Sequence, residues 1–147
     1  MDCPVTFFAI REPEHHWQPL GETVNTRYYL AAKDIAIVMP ERGLKDDAAS
    51  ARINMEFQTN WAHSSGSRCA VVVCLFQLLS QDSEARRIYA RGMNPEIFYA
   101  VALVVSNPIS RAIGSFFIGL TKPGVPTKLV ATIDEGILWC ESRRSSQ

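Results

Sequence analysis

The residues best placed to do chemistry fall in two short stretches, Asp82-Ser83 and residues 106–111, which read SNPISR. A serine beside an aspartate at a helix start can hold or accept a phosphate. The free N–H groups of the first turn and the helix dipole both favour an anion there. The same pair also suits plain capping, with Ser83 a capping serine in the first turn. Arg111 is expected one turn into a helix opened by Asn107 and Pro108. With Arg86, Ser106, Asn107 and Ser110 it would form a polar rim for docking a charged partner. Enzyme motifs are missing: there is no G-x-G-x-x-G, Walker loop, G-x-S-x-G or H-E-x-x-H. His15, His16 and His63 fall away from the strand ends where catalysis would be staged. The expectation is a non-enzyme.

Cys3, Cys69, Cys74 and Cys140 make no C-x-x-C pair and, with three histidines, match no zinc spacing. Neither a metal nor a cofactor is expected. Cys69 and Cys74 share one predicted strand, and an offset of five puts them on opposite faces. They read as buried reduced thiols, which fits a cytoplasmic location. The start of the chain carries an acid where a signal peptide would carry basic residues, and no apolar run is long enough for a membrane span.

Elements must position these residues. The 147 residues, 47% hydrophobic with zero net charge, suffice for one globular core. The neutral balance argues against a nucleic-acid binder. Charge is uneven along the chain. Residues 1–60 hold six basic and nine acidic groups, net −3; residues 61–147 hold nine and six, net +3.

Residues 1–25, with Pro4, Pro13 and Pro19, read as an N-terminal extension with one short candidate strand at 5–10. Residues 27–30 and 35–39 are β-rich runs that form a hairpin. A helix starting near Asp46 shows Ala49, Ile53, Phe57 and Trp61 at four-residue spacing, one apolar face. The runs 69–76 (CAVVVCLF) and 98–105 (FYAVALVV) read as strands buried on both faces. Residues 77–81 would turn the chain into a helix over 82–91.

The helix opened by Asn107-Pro108 carries an apolar stripe of Ile109, Ala112, Ile113, Phe116, Phe117 and Leu120. A strand over 127–131 and a capping box, Thr132 to Glu135, lead to a last helix through about Glu141. A short tail, 143–147, follows. The order is β-β-α-β-α-β-α-β-α. Buried strands followed by helices imply right-handed crossovers, a mainly parallel α/β sheet and an antiparallel edge strand.

Residues 98–140 also resemble the C-terminal half of the STAS-like, SpoIIAA-like domains. The likeness lies in a buried strand, a small-polar/Pro turn, an SR-containing helix, a GL-x-KP loop at 119–123, a P-x-K strand and a closing helix with Trp139. Glu84-Ala85-Arg86 matches an EAR segment found in many members after the third strand. The resemblance covers roughly residues 26–142 and implies the fold derived above.

It also implies a signalling module, since the best-known members antagonise anti-sigma factors. These members bind a serine kinase and are switched off by phosphorylation in a D-S-[ST]-G segment. Asp82-Ser83-Glu84-Ala85 aligns with that segment, and its Asp and first Ser match. Glu84 stands where the phosphate is usually carried, and Ala85 replaces the glycine. The leading expectation is therefore a non-catalytic interaction module with a protein partner. The alternative is a small-molecule or lipid site between the sheet and the helix bearing Phe116 and Phe117. A homodimer through an edge strand or that helix is also compatible with the pattern.

Overall fold

The structure, a computed structural model, describes residues 17–121 and 124–145. The candidate strand at 5–10, Cys3, His15, His16 and the Lys122-Pro123 pair lie outside them. Among the described residues, eight strands and four α-helices follow the order β1 (Gln18–Glu22), β2 (Thr26–Ala32), β3 (Ile35–Pro40), β4 (Leu44–Asp46), α1 (Ala48–Ser65), β5 (Cys69–Val73), β6 (Leu78–Gln81), α2 (Ser83–Gly92), β7 (Phe98–Val104), α3 (Pro108–Phe116), β8 (Thr127–Val130), α4 (Ile133–Ser145). A 3-10 turn, Leu75–Gln77, joins β5 to β6, and a π-helical turn, Phe117–Thr121, extends α3.

The main sheet runs β1-β2-β3-β5-β7-β8. Its first three strands pair antiparallel and the rest parallel. Every residue of β3 and β7 is buried. Apolar residues on both faces let such strands sit between two layers of helices.

One face packs against α1, α2 and α3, in a core built around Val71, Val101, Leu103, Met55, Ile113 and Phe117. The other holds Val72, Ala102, Ile133 and Cys140, with α4 laid over β5, β7 and β8. Cys69 and Cys74 fall in opposite cores, as their spacing requires, and both are free thiols. The α/β class and the mainly parallel sheet match the sequence reading.

Several boundaries differ from it. Gln18–Glu22 is an edge strand paired to β2, although the sequence places it in an extension. Pro19 and Gly21 argue against a strand, but an edge position and the register shift between them tolerate both. The hairpin's first strand is therefore second from the edge.

The run 69–76 ends as a strand at Val73. Residues 78–81 then form β6, which pairs in parallel with β4 as a separate two-stranded sheet. Arg143 and Arg144, read as tail, belong to the last turn of α4. Arg144 grips Asp34 of the hairpin through Nε and Nη2, at 2.8 and 2.6 Å, and the Tyr99 hydroxyl donates to the same carboxylate at 2.8 Å. That cluster ties the last helix to the first hairpin.

The phase of α1 also differs. Asp47 caps it, with Oδ1 accepting from the Ser50 amide at 3.0 Å. Ala49 and Ile53 face solvent, and Phe57 and Trp61 are half-buried. The buried face is Ser50, Ala51, Asn54, Met55, Gln58 and Ala62. Ser50 and Asn54 on this face find partners on β2 and in the turn before it. The Tyr28 hydroxyl donates to Asn54 Oδ1 at 2.8 Å, and Asn25 Nδ2 donates to Ser50 Oγ at 2.9 Å. A polar helix face is tolerated in a core where its groups find partners.

Candidate functional site

The residues around α2 and α3 divide into those used by the fold and those left on the surface. Asp82 is the N-cap of α2, with Oδ1 accepting from the Ala85 amide at 2.9 Å. Ser83 is the first helical residue and is exposed. Glu84 pairs with Arg87 one turn on, Nη1 to Oε1 at 2.8 Å. Its carboxylate is thus committed to its own helix. α2 starts from β6 of the small sheet, and the Asp82 amide donates to Asp46 O at 3.1 Å.

Asn107 and Ser110 form a reciprocal capping box at the head of α3. Asn107 Oδ1 accepts from the Ser110 amide at 2.8 Å, and Ser110 Oγ accepts from the Asn107 amide at 3.2 Å. Asn107 Nδ2 also donates to Phe76 O at 3.2 Å. Both side chains are therefore spent on α3 and its junction with the 3-10 turn. Arg111 is exposed, with Nη2 3.4 Å from Val105 O. Ser106 borders a recess with Trp17, Phe76 and Thr132, on the α4 side of the sheet. The expected five-residue rim is thus split, with Ser106 on the α4 side.

The structure does bring Arg86 to α3. Its guanidinium lies 5.9 Å from the centroid of the Phe116 ring, within cation–π range. The stripe predicted for this helix separates into two. Ser110, Ile113, Gly114 and Phe117 are buried. Ile109, Ala112 and Phe116, at i, i+3 and i+7, face outward, with Ile109 49% and Phe116 55% exposed. Leu79, 48% exposed, stands on β6 beside α3. This outward stripe is continuous with the cationic face of α2, where Arg86, Arg87 and Arg91 stand against the one acid Glu84.

Beneath α1, α2 and α3 lies a cavity of about 60 Å³, measured over the centres of water-sized spheres. Val73, Leu75, Val101, Leu103 and Phe117 form its apolar side, and Asp46, Asn54, Gln58, Gln81 and Tyr89 its polar side. Phe117 enters this wall while Phe116 points out. Asp46 Oδ2 accepts from Gln81 Nε2 at 3.0 Å, and Oδ1 from the Tyr89 hydroxyl at 3.2 Å. Burial raises the Asp46 carboxyl above the usual range against the opposing pull of these donors. Burial likewise raises Tyr89 and Tyr28 above the ordinary phenol value.

None of these groups stands out in the sequence, where Asp46 reads as a helix start. The available signal is Ser50, Asn54 and Gln58 at four-residue spacing, a polar stripe one position away from the apolar one.

Residues 28–144 match the model of a family described as a domain of unknown function (DUF7793). The chain belongs to that family. No curated protein matches it. Among solved structures, this DUF7793 chain is similar to the anti-sigma factor antagonist SpoIIAA in its unphosphorylated form. The match has 12% identity and a TM-score of 0.53, and covers 79% of this chain and 97% of the other. At that identity the likeness establishes a STAS-type fold for the DUF7793 domain. Among the described residues, no helix is long and apolar enough to cross a membrane.

Proposed function

We propose that this domain is a non-catalytic, cytoplasmic interaction module that docks an acidic protein partner through α2 and the outer face of α3. The single observation behind this reading is the exposed stripe of Ile109, Ala112 and Phe116, flanked by Leu79 and covered at one end by Arg86. Apolar groups beside arginine are the usual anchors of protein interfaces, and most surfaces do not gather them. The excess of arginine on α2 and the lone Arg111 of α3 set the partner's sign as negative. The STAS-type fold supports a signalling role by analogy.

Asp82-Ser83 would be a modification site beside this face, with phosphate on Ser83 reversing the local charge. The test is affinity of the purified partner for variants. Phe116→Asp with Arg86→Glu should weaken binding by a hundredfold or more, on the order of what one hot-spot residue contributes. Unchanged affinity in that double variant would remove α2 and α3 as the docking face. A second copy of the chain on the same stripe would appear as a dimer lost in the double variant. A second reading, binding of a small molecule, has its own observation in the cavity walled by Phe117.

A further inference from the structure

Gln58 is 3% exposed, and among the described residues its Oε1 has no hydrogen-bond partner; nor has the buried Oε1 atom of half-buried Gln81. Both residues line the cavity described above. Each amide's orientation is fixed by its other atom. Gln58 Nε2 donates to the Tyr28 hydroxyl at 3.4 Å, which itself donates to Asn54 Oδ1. Gln81 Nε2 donates to the Asp46 carboxylate. Turning either amide around would set oxygen against these arrangements. Two orphan acceptors and a buried carboxylate thus line one cavity, and among the described residues no Lys, Arg or His side chain lines it. Buried acceptors left unpaired are costly, so the wall is built for a donor.

We infer that this cavity is a binding site for a small primary amine with a short apolar body. The ammonium would donate its three N–H groups to Gln58 Oε1, Gln81 Oε1 and the Asp46 carboxylate. The body would lie against Val73, Leu75 and Phe117. An ammonium matches the wall in donor number and in sign. It would also hold Asp46 ionised, where burial alone favours the proton. Leu44 and Gln81 are half-buried, so the wall reaches the surface beside β4 and β6. The assignment rests on the small-molecule reading and adds the ligand's class to it.

The experiment uses the full chain and three probes of one shape: n-butylamine, 1-butanol and methyl propyl ether. They are titrated near neutral pH while amide resonances of the cavity residues are followed. Butylamine should bind about tenfold or more tightly than the ether, the factor expected from leaving an acceptor unpaired, with butanol between them. Gln58→Met with Gln81→Met keeps the shape and removes both oxygens, and should erase the preference. Asp46→Asn should weaken butylamine and leave butanol nearly unchanged. The native spectrum of each variant confirms its fold. Equal binding of all three probes would overturn the amine assignment and keep a generic apolar site. Binding of none would overturn both.

Discussion

At the residue scale, two carboxylates of this chain are pushed in opposite directions. For Asp34, partial burial raises the carboxyl, but hydrogen bonds from Arg144 and Tyr99 outweigh it and leave it below its ordinary value. A folded value below the unfolded one adds stability that is full above the unfolded pKa and fades as pH falls through the folded one. Arg144 is partly exposed, so solvent screening keeps the contribution near 1 kcal/mol. Asp34→Asn should therefore cost about 1 kcal/mol at neutral pH in urea unfolding, with the gap closing below about pH 4.

Asp46 behaves inversely. Its raised value means the folded state holds the proton longer, so its contribution falls as pH rises above the unfolded value. Asp46→Asn should be as stable as the parent or more so at pH 7, and should lose that advantage in acid. A large loss at pH 7 would mean that the carboxylate's bonds to Gln81 and Tyr89 outweigh its burial. Asn107 was legible in the sequence, as a cap, because capping follows local rules. Asp46 was not, since burial of a carboxylate depends on strands far apart in the chain.

At the element scale, legibility followed length and patterning. The strands over Cys69–Val73 and Phe98–Val104 announce themselves as apolar runs. β4 and β6 have three and four residues, too few for a period to show. The α1 face was read from its large apolar residues, while its partner surface is polar, formed by Asn25 and Tyr28. The α3 stripe was found but is used on two sides, because Gly114 lets the helix sink toward β8. A Cβ at Gly114 would come within 2.7 Å of Leu129 Cδ2 and 3.1 Å of Val105 Cγ1. Gly114→Val should therefore lower stability by about 1–3 kcal/mol, despite removing a helix glycine. A thermal melt equal to the parent's would show that α3 has room to shift. Asn107→Ala should cost about 1 kcal/mol through the lost cap, read by the same melt.

At the scale of the whole molecule, a parallel sheet covered by three helices on one side and α4 on the other leaves α3 with an outer apolar face that no described element covers. The fold class was legible because alternating strands and helices admit few topologies. The proposed docking face was legible only as a mixed rim, since sequence order alone could not place Ser106 across the sheet from Arg86. The central claim is that the Phe116 face meets a protein. Site-specific photo-cross-linking in the native host tests it most directly, with a benzophenone side chain placed at Phe116, at Leu79 and, as a control, at the exposed residue Arg52 of α1. One discrete protein adduct is expected from Phe116 and Leu79, none from Arg52, and its loss when Arg86 is replaced by Glu. Equal adducts from all three positions, or none from Phe116 and Leu79, would contradict the claim.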